Sequence, residues 1–449
     1  MNFDLIILGA GAAGMMAAIA AKETSPALRV GIFEKNVRPG IKVLVCGGGR
    51  CNFTNAGSVD FLIEQFGRNG RFLTPALRHL SNDGLRAFFE DLGVPSHEEH
   101  DGKIYPDSNQ AKSVVDALVN RMRALGVEIF APATVASVTR DEQFHVTLAD
   151  GRVFDSRTLL IAVGGMSYQR MGTVGDGYRF AQGLGHSVVT PRPAIVGLLT
   201  HDQWVHELKG LAVQRVQVEI ELPPGRKVKL DNRECRNDML FTHFGLSGPA
   251  VLNVSETVAE LLEDTPTVHV RIDFLPQTTH EVLSATLRQW QQQHGKKLLR
   301  KVLAQQGPEI TIDSTSPDRT WSDVDAAAPR EPAGVAVPRR LAEMLLRLCE
   351  IPHDQPCATL TSAQMHRLIE RLKRTRIPVH ATRGFKEAMV TAGGISLREV
   401  DPQTLQSKIV PGLFLAGEVL DLTGPSGGYN LQLAFSTGHL AGVNAAQSC

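Results

Sequence analysis

The sequence predicts an α/β protein built around a parallel β-sheet, and three stretches support this fold class. The first is the apolar run 5–8, which ends in glycines and is followed by an Ala/Met-rich segment of high helix propensity. Two later apolar runs, 158–162 and 412–416, also end in glycines. Short apolar runs bounded by turn residues are typical of strands buried on both faces, as in a parallel sheet covered by helices.

The first turn has the spacing Gly-x-Gly-x-x-Gly, formed by Gly9, Gly11 and Gly14. Gly9 permits a sharp turn, Gly11 lets the backbone approach a pyrophosphate, and Gly14 allows the helix to pack closely on the strand. N–H groups at the helix start would hold the phosphates, aided by the helix dipole. Glu34 ends the next apolar run, 30–33, where a carboxylate accepts hydrogen bonds from ribose hydroxyls. This order of elements favours a dinucleotide-binding site over a glycine-rich turn without function.

The composition is that of a globular protein with two or three domains. Of the 449 residues, 43% are hydrophobic and 21% are charged. Lys and Arg total 47, as do Asp and Glu, so the whole chain has no electrostatic preference for nucleic acid or an anionic membrane. Any such binding would have to be local.

The N-terminal segment and the cysteines indicate a cytoplasmic protein. The apolar segment 5–21 follows Asp4, lacks a basic leader and is interrupted by glycines, unlike a signal peptide. No later stretch approaches the length of a membrane span. We expect reduced thiols and no metal site, because the cysteines are too few and too scattered for a disulfide framework; they are Cys46, Cys51, Cys235, Cys349, Cys357 and Cys449.

The segment 39–55 directly follows the predicted ribose acid. It contains three successive glycines, 47–49, and then Arg50, Cys51 and Asn52. Such a loop exposes main-chain amides beside one cation, which suits a phosphate or a flat ring. We therefore favour a cofactor contact over a plain surface loop.

Helical periodicity predicts amphipathic helices at 77–92 and 110–125. The segment between them contains His97, His100 and Tyr105 and is expected to be a polar loop. Histidines in such a loop are more often solvated than functional.

An antiparallel meander is predicted at 135–140, 144–148 and 152–154, leading into the buried strand 158–162. The turn 172–177 is rich in glycine and precedes a helix. It lacks the GxGxxG spacing and a strand leading directly into it, so it is not a second dinucleotide fingerprint.

The character of the sequence changes after Pro191. The remaining predictions are a strand at 213–222, a segment at 239–249 that leads into a helix, helices at 281–305, 338–348 and 362–374, a polar mobile loop at 309–334, a glycine turn at 424–430, and a last helix from 431 towards 446. We expect the N-terminus of the last helix, the positive end of its dipole, to lie against an electron-rich group.

Several blocks together resemble the BaiN-like flavoproteins, also called the aminoacetone oxidase family, and the match runs nearly end to end. The blocks are the N-terminal fingerprint, 46–55, 241–249, Val390-Thr391-Ala392-Gly393-Gly394, and 417–430. Members of this family are FAD-dependent oxidoreductases. The segment 164–185 is also similar to the corresponding part of the succinate dehydrogenase and fumarate reductase flavoproteins.

The resemblance implies a FAD-binding Rossmann domain of the glutathione-reductase type, made from both chain ends, with a mixed β/helical substrate domain inserted. The expected boundaries are 1–190 and 385–449 for the FAD domain and 191–384 for the insertion, whose helical portion spans about 278–375. The resemblance also implies that Gly417-Glu418 lies near the ribityl-pyrophosphate region and that 428–431 lies against the flavin pyrimidine. A helix N-terminus there would stabilise negative charge on the reduced flavin.

The motifs and the resemblance together predict the residues that bind the cofactor. They are Gly9, Gly11, Ala12, Ala13, Gly14, Glu34, Lys35, Lys42, Gly48, Gly49, Arg50, Cys51, Asn52, Val135, Ala162, Gly164, Gly165, Gly417, Glu418, Gly428, Tyr429, Asn430 and Leu431.

His243, beside Thr242, is the candidate for handling protons, because histidine titrates near neutrality. The plainer interpretation is a histidine that orders its own loop. Cys46 and Cys51 have the C-x4-C spacing of a flavin disulfide reductase, or they are two unpaired thiols. Disulfide reductases of that type carry a second GxGxxG domain, which this sequence lacks.

The sequence analysis favours an enzyme that uses NAD(P)H transiently to reduce an activated C=C bond in a small molecule, as the resemblance implies. An amine or aminoketone oxidase that uses oxygen stays open as an alternative. A role on RNA is a third hypothesis, less favoured because the basic runs 296–301 and 371–376 are typical of solvated helix faces.

Overall fold

The computed structural model describes residues 2–223, 233–304 and 337–449. The polar segment predicted at 309–334 lies outside these residues.

The described strands are β1 (Asn2–Leu8), β2 (Val30–Phe33), β3 (Thr54–Asn55), β4 (Ser96–Glu98), β5 (Lys103–Pro106), β6 (Glu128–Phe130), β7 (Val135–Arg140), β8 (Phe144–Leu148), β9 (Val153–Ile161), β10 (Val188–Ala194), β11 (Leu198–Leu199), β12 (Ala212–Glu221), β13 (Glu234–Phe241), β14 (Gly245–Ser247), β15 (Val268–Asp273), β16 (Thr375–Val379), β17 (Ala381–Thr382), β18 (Val390–Ile395) and β19 (Leu413–Leu415).

The described helices are α1 (Ala12–Thr24), α2 (Ile41–Val45), α3 (Val59–Glu64), α4 (Thr74–His79), α5 (Asn82–Asp91), α6 (Ala111–Ala124), α7 (Asp176–Gly183), α8 (Gln203–Glu207), α9 (Pro249–Leu252), α10 (Ser255–Leu261), α11 (His280–Gln293), α12 (Leu299–Leu303), α13 (Arg339–Leu348), α14 (Ser362–Arg374) and α15 (Tyr429–Gln447). Within the described ranges, none of these helices combines the length and the apolar character that a membrane span needs.

The chain forms two compact units. One comprises Met1–Ala194 and Phe385–Cys449, and the other comprises Ile195–Gly384.

The main sheet of the first unit has the strand order β6-β2-β1-β9-β8-β7, with β19 also paired to β9. The strands β6, β2, β1, β9 and β19 run parallel, and β8 and β7 are antiparallel additions. Both ends of the chain therefore contribute neighbouring strands to one sheet. The predicted α/β class with a parallel sheet is confirmed.

Strand β9 is longer than predicted. The expected meander strand at 152–154 and the expected buried strand at 158–162 are one continuous strand. The cause is β1, which pairs with β9 from Asp155 to Ile161 and holds the polar middle of the strand extended. The first half of β9 also pairs with β8, and the second half pairs with β19.

Two further predictions were wrong in local detail. The helix expected at 77–92 is broken into α4 and α5, because the Ser81 hydroxyl accepts the N–H of Gly84 at 3.1 Å and so caps a new helix. The polar loop expected around His97 and Tyr105 contains β4 and β5, which form a small sheet with β3.

Helices α1 and α15 lie against each other in the first unit. A Cβ added at Gly438 would lie 2.3 Å from the carbonyl oxygen of Ala13, and one added at Gly442 would lie 2.3 Å from that of Ala17. Glycines one turn apart on α15 thus allow its backbone to touch that of α1. The start of α1 is positioned by a helix from the other end of the chain.

The second unit is built on an antiparallel sheet with the order β16-β15-β12-β13-β14-β11-β17. Its core includes apolar residues from this sheet and from α9 to α14. The helix expected at 281–305 is interrupted between α11 and α12, in a segment that contains Gly295. The other predicted elements of this unit lie within a residue of their observed positions where the structure describes them.

Candidate functional site

The turn between β1 and α1 shows why each glycine of the fingerprint is needed. A Cβ at Gly9, which has φ of +92°, would lie 2.7 Å from the carbonyl oxygen of Ala162. A Cβ at Gly14 would lie 1.9 Å from the carbonyl oxygen of Gly9. At Gly11 nothing lies within 4 Å. Gly9 and Gly14 are therefore required for packing, and Gly11 borders open space.

That space is a cavity of about 170 Å³ in the first unit. About 10–15 Å³ of such space holds one water molecule, so the cavity accepts a far larger group. Many of the residues predicted to bind the cofactor line it, namely Gly9, Gly11, Ala12, Ala13, Glu34, Lys35, Lys42, Val135, Ala162, Gly164, Gly417, Glu418, Asn430 and Leu431.

Helix α1 begins at this cavity. Its N-cap is Gly11, and no side chain caps its first turn. The first N–H groups of a helix have no acceptor within the helix, and the helix dipole adds positive potential there. The start of this 13-residue helix is thus suited to an anionic group such as a phosphate.

Glu34 follows β2 and is 8% exposed. Its Oε2 accepts the N–H of Ala10 at 2.9 Å, and its Oε1 accepts the N–H of Asn36 at 2.9 Å and the side-chain amide of Asn36 at 2.7 Å. These bonds hold the carboxylate at the cavity wall. Because each carboxylate oxygen can accept more than one hydrogen bond, Glu34 keeps capacity for hydroxyl donors of a ligand.

An ion pair between Lys42 and Glu418 forms another part of the wall. The two side chains are 19% and 18% exposed, and both border the cavity. The ammonium group of Lys42 also donates to the hydroxyl of Ser167 at 2.7 Å. The wall therefore offers a cation and an anion side by side.

The residues of the 46–55 loop that were predicted to bind the cofactor do not line the cavity; they are Gly48, Gly49, Arg50, Cys51 and Asn52. Cys46, which was predicted only as one half of a possible redox pair, does line it. Arg50 makes an ion pair with Glu99, donates to Asn109 Oδ1 at 2.8 Å and lies 4.1 Å from the centre of the Tyr105 ring. Cys51 is fully buried, and Gly48 and Gly49 form a tight turn in which both have positive φ, +66° and +87°. The observed role of Arg50 is to hold this loop on the β3-β5-β4 sheet.

Asn52 has a buried side-chain oxygen without a hydrogen-bond partner among the described residues. A Cβ added at Gly428 would lie 2.8 Å from this oxygen and 2.3 Å from the carbonyl oxygen of Thr54. The 46–55 loop thus lies against the start of α15. A buried acceptor left unpaired in the protein fits a site that takes a donor from a bound group.

The start of α15 has no side-chain cap. Asn430 instead closes the preceding turn: its Oδ1 accepts the N–H of Gly424 at 2.9 Å, and its Nδ2 donates to the carbonyl of Gly424 at 2.8 Å. Tyr429 is 7% exposed and packs into the core rather than lining the cavity. The first N–H groups of this 19-residue helix are therefore suited to electron-rich atoms.

Some cavity residues were missed in the sequence. The turn 171–173, together with Asn36 and Asp176, lines the cavity. Asp176 pairs with Lys35 at 2.6 Å, and the Asn36 amide donates to the Met171 carbonyl at 3.0 Å. The sequence signal for this wall is the glycine-rich turn at 172–177, because glycines allow a backbone to approach a ligand closely even without the GxGxxG spacing.

Both cysteines of the predicted C-x4-C pair are free thiols. Cys46 lines the cavity, and its Sγ donates to the carbonyl of Lys42 at 3.3 Å. Burial raises the pKa of Cys46 to about 11 and also raises the pKa of Cys51 well above its usual value. Because the thiolate is the reactive form in disulfide exchange, this environment disfavours a redox role.

The candidate catalytic residues lie in the second unit. The Thr242 hydroxyl accepts the N–H of Gly245 at 3.1 Å and lies 3.0 Å from the Gly245 carbonyl, so it closes its own turn. His243 is exposed and lies edge-on to Phe244, with the ring centres 5.1 Å apart. The loop thus presents an imidazole on a turn held by Thr242.

The donor set of the cavity in the first unit fits FAD. The start of α1 suits the pyrophosphate, and Glu34 suits the ribose of the adenosine. The start of α15, where Asn430 and Leu431 line the cavity, suits a polar ring. A parallel sheet with this turn defines a Rossmann-type nucleotide-binding protein.

The chain belongs to the family described as HI0933-like protein Rossmann domain, whose model matches residues 3–444. This confirms the resemblance to the BaiN-like flavoproteins. The protein is a FAD-dependent oxidoreductase, as the sequence analysis predicted.

Two relatives match almost the whole chain. A 3-dehydro-bile acid delta(4,6)-reductase of Clostridium scindens is 32% identical over 441 residues, covering 98% of both chains. A ribosomal RNA dihydrouridine synthase of Escherichia coli is 31% identical over 439 residues, covering 97% of this chain and 96% of the relative. Among solved structures, a 3-ketosteroid delta1-dehydrogenase from Sterolibacterium denitrificans covers 100% of both chains with 13% identity and a TM-score of 0.48.

Proposed function

We propose that this protein reduces a C=C bond conjugated to a carbonyl group in a small organic molecule, with NAD(P)H as a transient electron donor. The observation that carries the proposal is the whole-length similarity to a reductase, combined with a cavity whose donor set fits FAD.

The names of the two relatives describe one kind of chemistry. A 3-oxo group with double bonds at positions 4 and 6 is a conjugated dienone. Dihydrouridine differs from uridine by reduction of the C5=C6 bond, which is conjugated to the C4 carbonyl. Both reactions add a hydride to one carbon of an activated alkene and a proton to the other, which is the reaction we assign to this chain.

Bound FAD supplies the hydride-transfer chemistry. In our proposal Glu34 binds the ribose of its adenosine, the start of α1 binds its phosphates, and Lys42 with Glu418 binds the region between phosphates and ring. The start of α15 stabilises negative charge at the pyrimidine end of the ring. These roles use groups that the structure holds rigidly at or beside one cavity.

The chain has one GxGxxG fingerprint in its sequence, and the proposed FAD site uses it. NAD(P)H therefore enters and leaves the substrate cavity in our proposal, rather than occupying a second Rossmann domain. An enzyme of this kind alternates between NAD(P)H and its oxidised substrate.

His243 is our candidate to supply the proton that accompanies the hydride. The support is its exposure and its place on a turn held by the Thr242 hydroxyl. We expect His243→Gln to lower the reduction rate by about 100-fold, the usual range for loss of a general acid, while FAD stays bound. His353→Gln is the matched control, because His353 is also an exposed histidine of the second unit.

Anaerobic stopped-flow spectroscopy tests the proposal. We expect rapid bleaching of the flavin by NADH or NADPH, slow reoxidation by oxygen, and rapid reoxidation by a 3-oxo-Δ4,6 steroid or another enone. Bleaching by amines or aminoketones with fast reoxidation by oxygen would instead establish the oxidase alternative. A flavin that neither NADH nor NADPH reduces refutes the proposed donor.

A second candidate function is reduction of uracil within RNA, and the similarity to a ribosomal RNA dihydrouridine synthase favours it. The basic runs support it only in part. Lys373 and Arg376 are each 2.6 Å from an acidic partner, and Arg300 lies 3.6 Å from Glu343. Lys296, Lys297 and Lys301 are exposed.

Binding of ribosomal RNA fragments at two salt concentrations distinguishes this second candidate. RNA that is a substrate binds with an affinity that falls steeply as salt rises, because phosphate contacts release counterions. The triple variant Lys296→Gln, Lys297→Gln, Lys301→Gln should then weaken binding. Absence of binding at low salt excludes RNA as the substrate.

A further inference from the structure

Thr391 lies in β18 behind the cavity wall and is fully buried. Its Oγ1 accepts the N–H of Met166 at 2.7 Å and the N–H of Ser167 at 3.0 Å. Its own N–H donates to Glu418 Oε1 at 2.8 Å. One threonine thus joins the turn after Gly165 to the carboxylate on the wall.

Ser167 makes the second connection. Its hydroxyl donates to Glu418 Oε1 at 2.7 Å and accepts from the ammonium group of Lys42 at 2.7 Å. The side chain is fully buried and does not border the cavity. Glu418 Oε1 therefore receives two donors from behind the wall, while its Oε2 pairs with Lys42.

Gly165 explains why the turn can approach Thr391 so closely. A Cβ at this position would lie 2.5 Å from Thr391 Oγ1 and 3.1 Å from the Tyr178 hydroxyl oxygen. Any other residue would push the turn away and break the two bonds that Thr391 accepts. The observed role of Gly165 is therefore in this network and not on the cavity surface.

We propose that Thr391 and Ser167 are positioning residues of the FAD site, which orient Glu418 and Lys42 towards the bound cofactor. This gives a role to Thr391 within the Val390–Gly394 motif, of which Val390 borders the cavity. The inference rests on the proposed assignment of Glu418 and Lys42 to FAD.

The physical basis is the freedom of the two charged side chains. Lys and Glu lose considerable rotamer entropy when they are fixed, and buried donors that hold them in advance reduce that loss when a ligand binds. Without the Ser167 hydroxyl, Glu418 Oε1 loses one of its two donors, and without the Thr391 hydroxyl the turn that contains Ser167 loses the acceptor that holds it in place. Lys42 can then pair with Glu418 in other rotamers. The cofactor then has to order both side chains on binding.

The test uses the full chain and measures its affinity for FAD by fluorescence titration after flavin removal. We expect Thr391→Val and Ser167→Ala to weaken FAD binding by at least about tenfold, because each removes a hydrogen bond to a charged group or to the turn. Thr391→Ser keeps the hydroxyl and should restore affinity. Ser156→Ala is the matched control, because it removes a buried hydroxyl that has no hydrogen-bond partner in the described structure.

A double-mutant cycle separates positioning from general packing. If Ser167 acts through Glu418, then adding Ser167→Ala to a Glu418→Gln variant should change FAD affinity little further. If Ser167→Ala lowers FAD affinity equally in the wild type and in Glu418→Gln, the inference is overturned. It is also overturned if neither Thr391→Val nor Ser167→Ala changes FAD affinity. If one of these variants fails to fold, as judged by its melting temperature, the other still decides.

The same titration shows whether only the positioning role is wrong or whether the proposed FAD site itself is wrong. If Glu418→Gln weakens FAD binding but the Thr391 and Ser167 variants do not, only the positioning role is refuted. If Glu418→Gln and Lys42→Met both bind FAD as the wild type does, the assignment of this wall to FAD is refuted, and the positioning role falls with it.

Discussion

Replacing Gly438 with alanine should weaken cofactor binding, although Gly438 lies outside the cavity lining. The new Cβ would lie 2.3 Å from the carbonyl oxygen of Ala13, whereas ordinary contacts begin at 3.4 Å, so α15 and α1 must separate by about 1 Å. Both partners are helix backbone, which cannot move aside as a flexible side chain does. Ala13 also borders the cavity, in the first turn that we assign to the phosphates.

The expected change in unfolding free energy is the difference between two opposing effects. Overpacking in a close-packed interior costs about 3 kcal/mol at the upper end of its usual range, and alanine regains about 1 kcal/mol of helix propensity over glycine. We expect the first unit to lose about 2 kcal/mol of unfolding free energy. FAD affinity should fall as well, because the first turn of α1, whose N–H groups we assign to the phosphates, is displaced.

Urea unfolding with two probes measures this effect. Trp204 and Trp290 lie in the second unit, so their fluorescence follows that unit; Trp321 lies outside the described residues. Release of the bound flavin reports the unfolding of the first unit. In Gly438→Ala the flavin transition should move to lower urea, while the tryptophan transition stays in place.

Gly183→Ala in α7 is the control, because a Cβ there meets nothing within 4 Å, and this variant should be as stable as the wild type or slightly more so. The reasoning is refuted if Gly438→Ala matches Gly183→Ala in both flavin affinity and stability.

Three other predictions concern the cavity and α15. Glu34→Gln should weaken FAD binding by about tenfold, measured by fluorescence titration, because a neutral amide accepts hydroxyl donors less strongly than a carboxylate. Cys46→Ser should leave turnover and flavin reduction unchanged; a loss of turnover would revive the redox pair. Burial, and secondarily His79, lowers the pKa of His439 to about 4 from 6.5. The unfolded chain then binds more protons between these values, so stability should decrease as pH falls from 6.5 to 4, by at most about 3 kcal/mol. Urea unfolding at pH 7 and 5 should show a smaller difference in His439→Gln than in the wild type.

Local patterns predicted the parts of the site that depend on few neighbouring residues. The β1 strand, its glycine turn, α1 and Glu34 follow one another within a short segment, and glycine geometry and hydrophobic periodicity describe such a segment well. The last helix was placed within two residues of its observed start at Tyr429 for the same reason. The family resemblance added the cofactor, because several motifs occurred in the right order.

Periodicity could not predict how polar groups distant in sequence are combined. Nothing near Arg50 shows that its guanidinium is held by Glu99 and Tyr105. Strand β9 is continuous because a neighbouring strand holds it extended. In these cases a contact between segments distant in sequence, formed only in the folded chain, outweighs the structural preference of the local sequence.

The fold class, the first glycine turn and the family can be inferred from sequence patterns alone. Which residues border the cavity and which lie behind it depends on the folded chain. Lys42 and Glu418 are 376 positions apart, and Ser167 and Thr391 are 224 apart, yet they form one hydrogen-bonded network. Sequence patterns describe how a segment buries its own faces. This network forms only in the folded chain, where β18, which pairs with β10, lies beside the turn after β9 and the residues after β19.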